Sequence, residues 1–269
     1  MTATDEKNTA FWDELCGTTL AKYLGITDNS QASLKKFDDW YFDFYPYLYT
    51  HIPFTQVADR KVLEIGLGYG TVAEKLMDSG ALYHGLDIAA GPVQMARHRA
   101  ALLGKTVDIR QGSALANPHP DATFDHVIAI GCLHHTGDLA QALREVHRVL
   151  KVGGQTTIMV YNAVSYRQWF RSPLATFRRR SVPDFDWSNA EANLRKAYDV
   201  DQEGKAAPST TFITAKEAQI FLGQLFRTVR VTPRNIGEDL VISRLMSRAT
   251  ANRIFESRLG LDLYIECIK

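Results

Sequence analysis

Cysteine is scarce in this sequence and scattered: Cys16, Cys132 and Cys267 are the three, and no two lie close together in the chain. No CxxC pair is present, so neither a zinc site nor a disulfide framework is expected. Apolar runs are all too short to span a bilayer. The opening stretch MTATDEKNTA has no basic segment followed by an apolar one, so no secretory leader is expected there. Neither sign of charge dominates, with 31 Lys+Arg against 30 Asp+Glu and a net charge of +1. That balance excludes bulk electrostatic capture of nucleic acid. Internal repeats and low-complexity tracts are also missing. What these absences leave is a cytoplasmic, reduced protein with no metal centre and no stable membrane association. Its 45% apolar and 23% charged residues are those of an ordinary globular chain. A length of 269 residues suits one α/β domain with appendages.

Along the chain, residues 1–10 are polar and read as frayed. From Ser33 to Tyr49, Leu34, Phe37, Tyr41, Phe44, Tyr45 and Leu48 fall at helical spacing, with Lys35, Asp38 and Asp39 elsewhere. Trp40 to Tyr49 holds more aromatics than one packing stripe needs, which suits either core packing or a partly wet pocket wall. From Arg60 a regular alternation begins. Strands are predicted at Val62–Ile65, Leu82–Ile88, Val107–Arg110, Phe124–Ile130 and Thr156–Tyr161. Helices are predicted after Gly70, over Gly91–Leu103, and from Asp138, where Asp138 and Gln141 are spaced as a capping box. Lys151-Val152-Gly153-Gly154 reads as the stop of that last helix. Such alternation implies a parallel sheet covered on both faces. Residues 162–207 interrupt it with a basic and aromatic segment. A capping box at Thr214–Glu217 then opens a helix, Arg227–Val231 is a strand, a helical segment covers 240–257, and Leu261–Ile268 is the final strand. Two closing strands linked so closely predict an antiparallel edge.

The most informative stretch is Val62-Leu63-Glu64-Ile65-Gly66-Leu67-Gly68-Tyr69-Gly70. A buried strand ends in glycines that permit a sharp turn and a close ligand, and the next helix offers free N–H groups at its start. A dinucleotide fingerprint needs GxGxxG; here the third glycine, Gly70, comes one position early. Glu64 before the turn would repel a pyrophosphate and suits a cationic ligand instead. Asp87, ending the second strand, is placed to accept both hydroxyls of a ribose; its other reading is a helix N-cap.

Taken in order, these segments resemble the class I S-adenosylmethionine-dependent methyltransferases. The glycine turn looks like the family's first motif and Gly85-Leu86-Asp87-Ile88 like its second. Phe124-Asp125-His126-Val127 through Leu133-His134-His135-Thr136, and Arg148-Val149-Leu150-Lys151-Val152-Gly153-Gly154, look like the later ones. The double histidine and the Leu-Lys-x-Gly-Gly turn are typical of the small-molecule subgroup that includes the quinone-biosynthesis methyltransferases. The resemblance implies a doubly wound, Rossmann-like, mostly parallel seven-stranded sheet with an antiparallel edge strand. It further implies a helical cap over residues 1–57, a methyltransferase domain over 58–269 and, after strand five, a substrate-side insertion at 162–207.

Carried over by position, Glu64 and the main chain of Gly66 and Gly68 face the methionine part of S-adenosyl-L-methionine, and Gly70 is a further cofactor-binding position of the same turn. Asp87 holds the ribose, Ile88 packs on the adenine, and Gly131 runs past the sulfonium. Ser113 stands where many relatives have an aspartate for the adenine amino group, so Ser113-Ala114 offers one uncharged hydrogen bond there. His134 and His135 are candidates for a general base, with a role in loop structure as the alternative. Tyr45 and Tyr161 are candidate acceptor contacts. Arg167, one helical turn from Arg171, is a candidate partner for an acceptor carboxylate or phosphate, against a solvated basic face or a membrane-surface helix. The N/D-P-P-Y/F tetrapeptide of amino-methylating relatives is absent after strand four, which opposes base methylation in nucleic acid. The function expected is in-line methyl transfer to an oxygen, carbon or nitrogen atom of a small organic acceptor. A non-catalytic module that binds the same cofactor and a nicotinamide-dependent oxidoreductase are the alternatives.

Overall fold

The computed structural model describes residues 3–15, 18–239 and 246–269. Cys16 and the first part of the expected 240–257 helix therefore lie outside the described residues. Four helices come first: α1 (Ala3–Leu15), α2 (Thr18–Tyr23), α3 (Gln31–Phe44) and α4 (Leu48–His51). The alternating core follows as β1 (Lys61–Ile65), α5 (Thr71–Asp78), β2 (Leu82–Asp87), α6 (Ala90–Leu102), β3 (Asp108–Gln111), β4 (Phe124–Ile130), α7 (Leu139–Val149) and β5 (Leu150–Tyr161). Then come α8 (Tyr166–Arg171), α9 (Pro173–Ser181), α10 (Ala192–Lys196), α11 (Ala215–Leu222), β6 (Thr228–Arg234), α12 (Arg248–Leu259) and β7 (Asp262–Ile268).

The seven strands form one sheet in the order β3-β2-β1-β4-β5-β7-β6. β1 to β5 are parallel, and β7 runs antiparallel between β5 and β6. β1 is central in the sheet, with helices over both faces, so Val62, Leu63 and Ile65 are buried on alternate faces. Leu63 and Ile65 pack toward α7 and α11, and Val62 packs toward α5 and α6. The chain order reverses between β1 and β4. In open α/β sheets that reversal leaves a crevice at the carboxyl ends of the strands, where ligands bind. This is the Rossmann-like, doubly wound sheet expected. No helix among the described residues is long and apolar enough to cross a membrane.

Four local expectations are corrected. Residues 3–10 belong to α1, in which Asp5 and Asn8 are each only 3% exposed. The helix expected over 33–49 is broken at Tyr45, because Pro46 disfavours helical backbone before it, and resumes only at Leu48. Asp138 caps α7 by accepting from the Gln141 amide, but the Gln141 side chain donates to the Leu115 carbonyl instead of closing the box. Lys151–Gly154 is part of β5 and bulges: the pairing with β4 jumps from Phe124–Leu150 to His126–Gln155. Gly153 takes the left-handed conformation (φ 79°) that such a bulge demands.

Candidate active site

The loop leaving β1 turns back on itself with positive φ at Gly66 and Gly70 (79° and 76°). Both are also crowded. A Cβ on Gly66 would stand 2.4 Å from that of Cys132, and one on Gly70 would stand 2.7 Å from Cδ of Arg99. No side chain fits at either position, so the loop keeps its backbone against the crevice. Gly68, by contrast, faces open space, and with Gly66 it lines a cavity of about 460 Å³.

Glu64 and Asp87 end adjacent strands and line this cavity. Glu64 is 4% exposed and accepts one short bond from the Tyr83 hydroxyl (2.6 Å). Burial pushes its carboxyl up to about 8, only partly opposed by that bond. Asp87 accepts from the amides of Leu67 (2.7 Å) and Ala89 (2.9 Å), one on each oxygen, with the Ile88 amide close by as a further lowering influence. Its carboxyl rises to about 6, because burial outweighs those amides. Beside them, Ile88, Ser113, Ala114 and Gly131 also line the cavity. Ser113 Oγ accepts from the Leu115 amide and donates to Asp5 of α1 (3.2 Å each). Gly70 stands back from the cavity as the N-cap of α5. The Cys132 thiol donates to the Ile65 carbonyl (3.0 Å), and burial holds its pKa well up, so it is an inert packing group.

The N-terminal helices form the opposite wall. Trp12 comes from α1, Phe37, Trp40 and Tyr41 from α3, and Tyr45 from the end of α3. α1 is fastened across the crevice: Asn8 donates to the His135 carbonyl (2.7 Å), and Asp13 accepts from the Gly91 amide (2.5 Å). α3 is fastened by Arg99 of α6, which is wholly buried and bonds Asp38 of α3 and Glu74 of α5 at 2.7 and 2.6 Å. Phe37 stacks on Tyr69 of the glycine loop with ring centroids 4.2 Å apart. The Tyr45 hydroxyl is pushed up to about 12 by burial, so it remains a neutral hydrogen-bonding group.

The two adjacent histidines part company. His135 lines the cavity under Trp12, with ring centroids 4.7 Å apart. Its Nδ1 lies 2.8 Å from the Ser209 carbonyl, a contact that needs a proton on Nδ1 and so leaves the lone pair on Nε2. That Nε2 is 3.7 Å from Asp199 Oδ2. His134, expected beside it, is fully buried away from the cavity. It packs between His135 and Tyr161, and burial holds its pKa well below 6.5. Tyr161 is likewise not at the cavity; its hydroxyl donates to both Asp199 oxygens (3.0 and 3.1 Å). Arg167 does not line the main cavity either. It bonds Asp239 (2.8 Å), lies over the Tyr198 ring and lines a separate cavity of about 400 Å³ with Arg171. Arg167 and Arg171 thus stand together as expected, but away from the main cavity.

Asp5, Asn8, Trp12, Tyr69 and Asp199 were not anticipated. The first three sit on a helix that buries polar residues and so shows no apolar stripe. Asp199 sits in an irregular polar stretch with no periodicity at all.

Residues 63–158 match the family model described as a methyltransferase domain. The chain is 36% identical over 108 residues to a ubiquinone biosynthesis O-methyltransferase of Pseudomonas aeruginosa, a match covering 39% of this chain and 46% of that protein. It is 35% identical over 103 residues to a demethylmenaquinone methyltransferase of Corynebacterium kroppenstedtii, covering 38% and 42% respectively. The matched part is thus under half the length of these relatives. In fold it is similar to an S-adenosylmethionine-dependent methyltransferase from Mesorhizobium loti, with TM-score 0.56, 16% identity, and 84% of this chain and 97% of that chain covered. The resemblance to the class I methyltransferases holds, in sequence over the matched segment and in fold over most of the chain.

Proposed function

We propose that this chain, built on a class I methyltransferase core, uses S-adenosyl-L-methionine to methylate a small organic acceptor. The observation that carries the proposal is the state of Glu64: a carboxylate in the cavity wall, buried, singly hydrogen-bonded and raised to about 8. Such a group is costly to ionise alone and favourable beside a cation. Asp87, with both oxygens oriented by loop amides, fits a vicinal diol, and the bare backbone at Gly66 and Gly68 leaves room for the chain between them. The donor set therefore fits the cofactor.

In this reading Glu64 binds the cofactor's ammonium, Asp87 its ribose, Ile88 with Ser113 and Ala114 its adenine, and Gly131 borders the sulfonium. Gly70 serves by holding the loop. Once bound, the cofactor supplies a methyl group activated for in-line displacement. The chain's own contribution is positioning, desolvation and proton acceptance. Trp12, Trp40, Tyr41 and Tyr45 exclude water and hold the acceptor. His135 is the base at the cavity wall; its Nε2 is covered in the unliganded chain, so it receives the acceptor's proton once acceptor binding uncovers it, and Asp199 stabilises the imidazolium formed. Tyr161 orients Asp199. Residues 1–57 act as the helical cap of the domain 58–269, whose insertion at 162–207 supplies Asp199. The names of the relatives, which cite O-methylation in ubiquinone biosynthesis and methylation of demethylmenaquinone, favour a small acceptor of the quinone type.

The test is a methyl-transfer screen of phenols, enols and amines, read as release of S-adenosylhomocysteine, with Glu64→Gln and Asp87→Ala beside the parent chain. Turnover of one acceptor class, with cofactor binding weakened in both variants, is expected. Tight cofactor binding with no product across the panel would leave only a binding module.

A further inference from the structure

The mechanism makes no use of a second group of titratable side chains at the other end of β2 and β3. We propose that His84, Asp108 and His119 form a binding site for a borderline transition-metal dication of the Zn²⁺ type, separate from the cofactor cavity.

The sheet register builds two-thirds of it. His84 of β2 and Asp108 of β3 are direct partners in the parallel pairing, so their side chains emerge side by side on one face. His84 Nδ1 stands 3.5 Å from Asp108 Oδ2. His119 comes from the loop before β4 and is held from both sides. Its amide donates to Asn117 Oδ1 (3.1 Å) and its carbonyl accepts from Arg148 (2.9 Å). One ligand atom from each residue lies within 4.8 Å of the others. Zinc bonds of about 2.0–2.2 Å in a tetrahedral site put ligand atoms roughly 3.4 Å apart, so the first pair already fits and the third has to close by up to about 1.4 Å.

An independent observation makes this more than a cluster. His119 is 96% buried (4% exposed), and its Nε2 has no hydrogen-bond partner. His84 Nδ1 is also shielded from solvent, with the Asp108 carboxylate 3.5 Å away as its partner. Buried imidazole nitrogens normally find partners, because an unmet one loses its hydration for nothing. Here His119 Nε2 has none, in a cluster that also holds His84 and the Asp108 carboxylate. The two histidine rings pack edge-on against each other and against Phe124, at centroid distances of 5.7, 5.1 and 5.0 Å, which fixes their aim. Two imidazoles and one carboxylate select zinc, nickel or copper over calcium and magnesium. A water can complete the set. None of the three residues lines the cofactor cavity.

One group opposes the ion. Arg110 is exposed and binds both Asp108 oxygens (2.8 and 2.6 Å), so an incoming dication competes with a guanidinium. This competition gives the proposal its sharpest test. The full chain, untagged and stripped of metal with a chelator, is titrated with Zn²⁺ by calorimetry and with Co²⁺ by visible absorption at pH 7. One ion per chain is expected, with Co²⁺ bands of low-symmetry coordination. His119→Ala and Asp108→Asn are expected to weaken binding more than tenfold, and Arg110→Gln to tighten it severalfold. Absence of saturable binding, or equal affinity in all variants, overturns the site. Should His119→Ala fail to fold, Asp108→Asn and Arg110→Gln decide alone, since both positions are at the surface; unmoved affinity in both is then the overturning result.

Discussion

The floor and the roof of the cavity are made differently. The floor is backbone and strand ends: a loop held by positive φ at Gly66 and Gly70, and the carboxylates of Glu64 and Asp87 on neighbouring strands. The roof is helices and inserted chain fastened by distant side chains. Asn8 reaches the His135 carbonyl across 127 positions, and Asp38 meets Arg99 across 61. A floor of this kind is fixed once the sheet forms. A roof of this kind depends on individual long-range bonds, so it is expected to fail first when single residues change.

The largest effect on that contrast is expected from Arg99→Met. It leaves Asp38 and Glu74 without their cation and frees α3, for a loss of about 3 kcal/mol, the lower end of the range for buried pairs because both carboxylates keep some water. Chemical denaturation measures it; an unchanged midpoint would mean that the roof is held by packing alone. Next comes the histidine pair. His135→Ala should lower kcat about a hundredfold, whereas His134→Ala should leave kcat within a few-fold and lower only the melting temperature. Equal kcat losses in the two would remove His135 from its special place. At the floor, Asp87→Ala should weaken cofactor binding more than tenfold, or about 1.4 kcal/mol, and calorimetry that shows no change would sink the ribose assignment.

A pH effect of similar size or smaller tests Glu64. Its folded pKa of about 8 exceeds its ordinary 4.5, so without ligand the fold loses stability as pH rises between those values. A cationic cofactor needs the ionised form, so its binding runs the other way: it tightens from pH 6 to 8 and releases a proton. Binding enthalpies that do not depend on buffer ionisation below pH 8 would contradict this. The smallest effect is expected from Trp12→Ala, a rise in KM of about threefold, since the other aromatic walls remain; a larger kcat loss would show that α1 steers His135 as well as covering it.

The floor was legible in the sequence because its causes are local. Alternating apolar runs, the glycine spacing, and an acid at each strand end all act within a few residues. The same holds for the Thr214–Glu217 capping box, which forms in full. Much of the roof was illegible for the same reason turned round. α1 buries Asp5 and Asn8 against groups more than a hundred positions away, so no periodic stripe marks it. His134 and His135 are identical neighbours, and only the direction of one turn separates a cavity wall from a packed interior. Arg167 looked free for an anion because Asp239, its partner, is 72 positions further on. Trp40, Tyr41 and Tyr45 lie between the extremes: their surplus marked a pocket wall correctly, but not which of their neighbours would turn inward.

Arg99 occupies the space that a side chain at position 70 would need, and it also anchors Asp38. Inheritance at these sites is therefore coupled. Position 70 is closed to a side chain twice over, by its φ of 76° and by Arg99, so shortening Arg99 opens space there without making another residue acceptable. Asp38 and Arg99 should therefore change as a pair among descendants of this chain, while Gly70 stays fixed.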